Sequence, residues 1–204
     1  MTDRSKQNLA QTCLPSRRWL LWAGATGLTA SLVAPGAHAA DEKDTRFKPY
    51  DRDTRFEVGQ RGKDMQKKAY ELGHRYEAKH GGCARCTVAA LQEALDFVPD
   101  APGLFRAATC LDGGATPTGK QNCGGFTGSG IVIGYLCGGE DFKSTALAHR
   151  LVRRVARRFE DRYGSVLCPD VRKGVDGDCP EAVGRAARWT AEVLLGQFTD
   201  YQPE

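Results

Sequence analysis

FKSTALAHRLVRRVARRFEDRY, residues 142–163, decides the fold class. Leu147, Leu151, Val155 and Phe159 recur every fourth residue, with Ala148, Val152 and Ala156 beside them, which gives one apolar helix face. The other face carries Arg150, Arg153, Arg154, Arg157, Arg158 and Arg162. Without flanking aromatic residues, those arginines read as a solvated surface, not a nucleic-acid or membrane reader.

Helical periodicity extends to both sides of this segment. Met65, Ala69, Leu72 and Tyr76 form a stripe that His80-Gly81-Gly82 ends. A second helix is predicted from Ala84 to about Phe97 on Val88, Leu91 and Leu95, and a short one from Pro102-Gly103 through Leu104 to Ala108. A last helix opens at Cys179-Pro180-Glu181 and runs to Phe198. Gly124–Gly139 is ambiguous. Its glycines at four-residue intervals suit a helix with bare faces, Gly124/Gly128 and Gly130/Gly134/Gly138, while Ile131–Leu136 also suits a strand. Strand signals are otherwise scarce. The expected architecture is all-α: a single helical bundle over residues 62–204 with glycine-rich turns, preceded by a signal peptide (1–39) and a charged arm (40–61). The arm repeats Asp-Thr-Arg-Phe at 44–47 and 53–56, and its two phenylalanines suit docking on the domain or on a partner.

Three of the four net positive charges fall in residues 1–39, where Arg4, Lys6, Arg17 and Arg18 face only Asp3. The rest is near neutral, with no global pull toward nucleic acid or anionic lipid. Arg17-Arg18 precede a weakly apolar stretch ending near Val33, and Ala37-His38-Ala39 follows as a cleavage site. This order resembles a twin-arginine export signal and places the mature protein in the periplasm, where disulfides persist. No apolar run reaches the roughly 18 residues of a membrane span, so stable insertion is not expected after cleavage.

Eight cysteines are the unusual feature, and Cys13 would leave with the signal. The other seven are Cys83, Cys86, Cys110, Cys123, Cys137, Cys168 and Cys179, an odd number that cannot all pair within one chain. Cys83, Cys123 and Cys179 each stand where a helix is predicted to begin. Helix starts offer unpaired N–H groups and partial positive charge, which favour thiolates and lower their pKa. Cys168 precedes Pro169, read as non-helical backbone close enough to join them. A gathered set of thiolates holds an iron–sulfur cluster or zinc. Local spacing matches no known cluster motif, and Thr87 after Cys86 excludes a c-type haem. Structural disulfides, and dithiol exchange at Cys83-Ala84-Arg85-Cys86, stay open beside the metal reading. His80, three residues before Cys83, is the histidine closest to this set in sequence; His74 and His149 read as solvated or capping.

Gly82-Cys83-Ala84, the run Cys123-Gly124-Gly125-Phe126-Thr127-Gly128, Gly164-Ser165-Val166-Leu167-Cys168 and then Cys179 resemble the C_GCAxxG_C_C family, redox-active proteins with four shared cysteines and a C-G-A-x-x-G element. The likeness covers about residues 65–198 and keeps the order of the four cysteines. It implies Cys83, Cys123, Cys168 and Cys179 as the functional, cofactor-binding and metal-ligating set, with Gly125 where the family has alanine. Cys86, Cys110 and Cys137 fall outside it, as extra disulfides, additional ligands or, for Cys137, simple packing. The resulting expectation is an exported electron-transfer protein with an iron–sulfur cluster and a separate redox partner protein. Zinc, a metal-free dithiol protein using Cys83/Cys86, and a disulfide-stapled binding module are the alternatives. No hydrolase triad, phosphate loop or carboxylate pair is present.

Overall fold

The computed structural model describes residues 47–116 and 118–202; the expected signal peptide and the first part of the arm lie outside them. Seven helices occur among the described residues: α1 (Arg61–His80), α2 (Cys83–Ala94), α3 (Pro102–Ala107), α4 (Gly124–Cys137), α5 (Ala146–Tyr163), α6 (Cys168–Lys173) and α7 (Cys179–Phe198). Strand pairing among them is limited to two isolated bridges. The fold is all-α.

α7 is the central element. Twelve of its residues are buried, many of them Ala or Gly, and it packs against α1, α2, α4 and α5. Small side chains let those neighbours come close. Gly73 of α1 and Gly184 of α7 interlock, since a Cβ on Gly73 would lie 3.0 Å from Val183 O and one on Gly184 3.0 Å from Tyr70 O. Between α4 and α7 the Thr190 hydroxyl donates to Ser129 Oγ at 2.6 Å, and Ser129 donates to Gly125 O at 2.7 Å. Both hydroxyls are buried, and the bonds offset their loss of water.

α4 resolves the helix–strand ambiguity in favour of helix. Its outward positions do not explain this: a Cβ at Gly130 or Gly134 would meet nothing within 4 Å. The bare face that matters is Gly124/Gly128, where α2 approaches; the expectation of a second packing face at Gly130/Gly134/Gly138 is corrected, since the nearest neighbour of a Cβ at Gly138 would be Gly134 of the same helix. α5 begins at Ala146, not Phe142. Asp141 Oδ1 accepts the N–H groups of Lys143 and Ser144 at 3.0 and 2.7 Å, which bends the chain there, and Phe142 is fully exposed.

The described part of the arm is docked on the bundle. Phe47 stacks on Tyr135, with ring centroids 4.8 Å apart, and Phe56 stacks on Phe97 at 5.3 Å. Tyr50 N–H donates to Leu136 O and its hydroxyl to Phe97 O, both at 2.6 Å. The repeated phenylalanines therefore find their partner in their own domain.

Candidate functional site: a four-cysteine cavity

Local backbone geometry first fixes where each thiol starts. Gly81 and Gly82 have φ of 65° and 91°, a left-handed turn that ends α1 and begins α2 at once, so Cys83 is the first residue of α2. Cys123 is the N-cap of α4 and Cys179 the first residue of α7, whose N-cap Asp178 accepts Glu181 N–H at 3.3 Å. Cys168 opens α6. The reading of Pro169 as non-helical is corrected: proline sits in the first turn, where its missing N–H has no intrahelical partner to lose.

Two long-range features then gather them. An antiparallel bridge joins Asn122 to Leu167, with Cys123 N–H donating to Val166 O and Cys168 N–H to Gln121 O, each at 2.8 Å. This sets Cys123 and Cys168 side by side. The α2–α4 contact does the same for Cys83 and Cys123, because a Cβ on Gly124 would fall 2.2 Å from Cys83 Sγ. Cys83, Cys123, Cys168 and Cys179 all line one cavity of about 400 Å³, joined by Glu77, Asp112 and Arg172.

The remaining thiols do not line this cavity, although Cys86 packs with Cys83 and Val183. Cys86 Sγ donates to Gly81 O at 3.2 Å and lines a separate hollow with Tyr76 and His80. Cys137 is buried at the far end of α4 and donates to Ile133 O at 3.2 Å, and Cys110 is exposed. All seven are free. Among the described residues no three His, Cys, Asp or Glu side chains are close enough to share a single metal ion.

The expectation of lowered thiol pKa values is overturned. Burial pushes Cys83 up to about 11 and Cys123 up to about 12, and raises Cys168 and Cys179 as well. Backbone N–H groups of Gly113 and Gly124 at Cys83, and of Gly125 and Phe126 at Cys123, act in the opposite direction but are outweighed. Glu77 and Asp112 add to the rise at Cys83, while Arg172 opposes it at Cys168 and Cys179. Burial likewise raises the Glu77 carboxyl, and its Oε2 is buried without a hydrogen-bond partner.

Asp112 and Glu77 escape a reading of the sequence. Asp112 Oδ1 accepts Ala84 N–H at 2.7 Å in the first turn of α2, and its Oδ2 lies 3.4 Å from Arg85 Nε. The one available signal is Asp112-Gly113-Gly114, a turn-forming run that reads only as loop.

The family described as "Putative redox-active protein (C_GCAxxG_C_C)" matches residues 82–193, more than half of the chain and all four cavity cysteines. The chain belongs to the C_GCAxxG_C_C family. No curated protein and no solved structure gives a significant match. The matched stretch contains the four cavity cysteines together with Cys86, Cys110 and Cys137. The departure at Gly125 has a local cause. A Cβ there would sit 2.8 Å from Ala186 Cβ on α7, so glycine at 125 is matched to alanine at 186. Gly125→Ala and Ala186→Gly are each expected to destabilise the protein by about 1–2 kcal/mol, the first by overpacking and the second by helix propensity. The double variant should return to within about 0.5 kcal/mol of wild type in urea unfolding. Additive losses would mean that the two positions do not touch.

Proposed function

We propose that this C_GCAxxG_C_C protein is an electron-transfer protein whose Cys83, Cys123, Cys168 and Cys179 hold an iron–sulfur cluster. One observation carries the reading: four cysteines spread from position 83 to position 179 line one cavity of about 400 Å³. The donor set fits. Four thiols lining one cavity suit a cluster by their donor type. When bound, such a cluster supplies one-electron storage and release. The residues of this chain do the rest. The four sulfurs ligate as thiolates, releasing their protons on binding. N–H groups from Gly113, Gly125 and Phe126 reach Cys83 and Cys123 and stabilise added negative charge, which raises the reduction potential. Glu77 and Asp112 pull the potential down, and Ala182 and Val183 add apolar wall.

The dithiol alternative keeps one observation in its favour, since Cys86 packs with Cys83 and Val183, but Cys86 itself does not line this cavity and its Sγ donates to Gly81 O. Anaerobic protein is expected to be brown, with stoichiometric iron and sulfide and a paramagnetic reduced state. Serine at 83, 123, 168 or 179 should remove or strongly diminish the colour, and Cys86→Ser should keep it. Colourless wild type after anaerobic reconstitution would sink the cluster reading, and loss of thiol-exchange activity in Cys86→Ser would then install the dithiol one.

We also propose export through the twin-arginine route into the periplasm, on the strength of Arg17-Arg18 and Ala37-His38-Ala39. Cell fractionation should find the shortened protein in the periplasm, and Arg17→Lys/Arg18→Lys should hold the full-length form inside. Full-length wild type confined to the cytoplasm would refute this. Among the described residues no helix is long and apolar enough to cross a membrane.

A further inference from the structure

A broad cleft lies away from the cysteines. It has a volume of about 720 Å³ and runs between the start of α1, the outer face of α5 and the second half of α7. Lys63, Arg154, Arg157, Arg158 and Arg188 line it, against two carboxylates, Asp161 and Glu192. Glu192 binds both Arg158, at 3.2 Å, and Arg188, at 3.3 Å, and so fixes those two side chains in the wall. Lys63, Arg154 and Arg157 have no ion-pair partner among the described residues.

Read along the sequence, the arginines of α5 are a solvated face; folded, several of them form one side of a concave surface. The arrangement is costly in isolation. Arg154 sits three and four residues before Arg157 and Arg158, and like charges at these spacings destabilise a helix by about 0.2–0.5 kcal/mol per pair. Residues 40–204 are close to neutral, so this positive density is local and not a by-product of a basic protein. Guanidinium groups grip carboxylates in pairs of hydrogen bonds.

We propose that this cleft docks an acidic protein surface, with partner carboxylates reaching Arg154 and Arg157 between the pair fixed by Glu192 and the ammonium of Lys63. A nucleic acid fits less well. Asp161 and Glu192 interrupt any continuous phosphate track, and Tyr201, the aromatic residue in the lining, is buried and offers no face for base stacking. The proposal does not depend on what the four-cysteine cavity holds.

The test uses the full chain and fluorescently labelled poly-L-glutamate as the probe, read by anisotropy. Binding is expected to weaken as salt rises from about 50 to about 300 mM. Arg154→Glu/Arg157→Glu should weaken it at least about tenfold. Lys120→Glu/Lys143→Glu, an equal change of net charge on exposed positions outside the cleft, should leave it within about twofold. Circular dichroism melting checks folding, and Arg154→Gln/Arg157→Gln replaces the reversal if that variant does not fold. Equal weakening by both double variants would reduce the effect to general charge attraction and overturn the proposal. So would an oligothymidine that binds as tightly as the polyglutamate.

Discussion

Gly128→Ala is expected to lower the unfolding free energy by about 3 kcal/mol and the melting temperature by about 10 °C. A Cβ at this position would stand 2.6 Å from Ala84 O and 2.9 Å from Thr87 Cβ. Neither neighbour yields easily. Ala84 O belongs to the α2 backbone, and Thr87 is fully buried with its hydroxyl bonded to Cys83 O at 2.8 Å. The methyl group can be housed only if α2 and α4 separate, and that separation carries Cys83 away from Cys123. Gly130→Ala, two residues along the same helix, should have the opposite sign. Its Cβ meets nothing within 4 Å, so the change should stabilise by about 1 kcal/mol through helix propensity alone. Urea unfolding and thermal melting of both variants give the comparison. A Gly128→Ala protein as stable as wild type would show that the two helices are not in backbone contact.

The same pair of glycines marks where a reading of the sequence succeeds and fails. α5 is legible because its apolar and charged residues separate onto opposite faces, a pattern that survives any tertiary setting. α4 is apolar nearly all round, so periodicity has little to work on, and its glycines argue against a helix on propensity. What decides it is contact with α2 at Gly124 and Gly128, which is a property of two segments forty residues apart. Gly130 and Gly134 look identical in sequence and face open space.

The cavity was half legible for a similar reason. Cys83, Cys123 and Cys179 announce themselves through local signals, namely the Gly81-Gly82 turn, the Gly124-Gly125 run and Pro180-Glu181, and all three prove to stand at helix starts. Their convergence has no local signal. It rests on the Asn122–Leu167 bridge and on the close approach of α2 and α4. Cys168 joins the cavity as expected, but the backbone at Pro169 is helical and not broken, because the first turn tolerates proline. The electrostatic expectation failed through magnitude. Helix ends do favour thiolate, but removing sulfur from water costs more, and the direction of the shift follows the larger effect.

Asp112→Ala should be the most damaging change at the cavity that touches no cysteine, costing about 2–3 kcal/mol. Asp112 is 9% exposed, and it satisfies Ala84 N–H, one of the orphan donors at the start of α2. Its second oxygen lies 3.4 Å from Arg85 Nε as an ion pair, and that nitrogen is buried with no hydrogen-bond partner. Truncation leaves the Ala84 N–H without its acceptor and removes the carboxylate facing Arg85; the outer part of Arg85 still reaches water, which keeps the loss below that of a fully enclosed pair. Asp112→Asn retains an oxygen for Ala84 and gives up only the charge, so about half of the loss should return. The damage should also be visible at sulfur. Gly113 N–H, next in sequence, donates to Cys83 Sγ at 3.4 Å, so loosening this turn exposes that thiol first. In metal-free protein, peptide mapping after brief iodoacetamide treatment should show faster labelling of Cys83 in Asp112→Ala, with Cys137 at the far end of α4 unchanged. A variant that melts with wild type and labels at the same rate would mean that α2 is held in place by packing alone, and that Asp112 has no part in positioning Cys83.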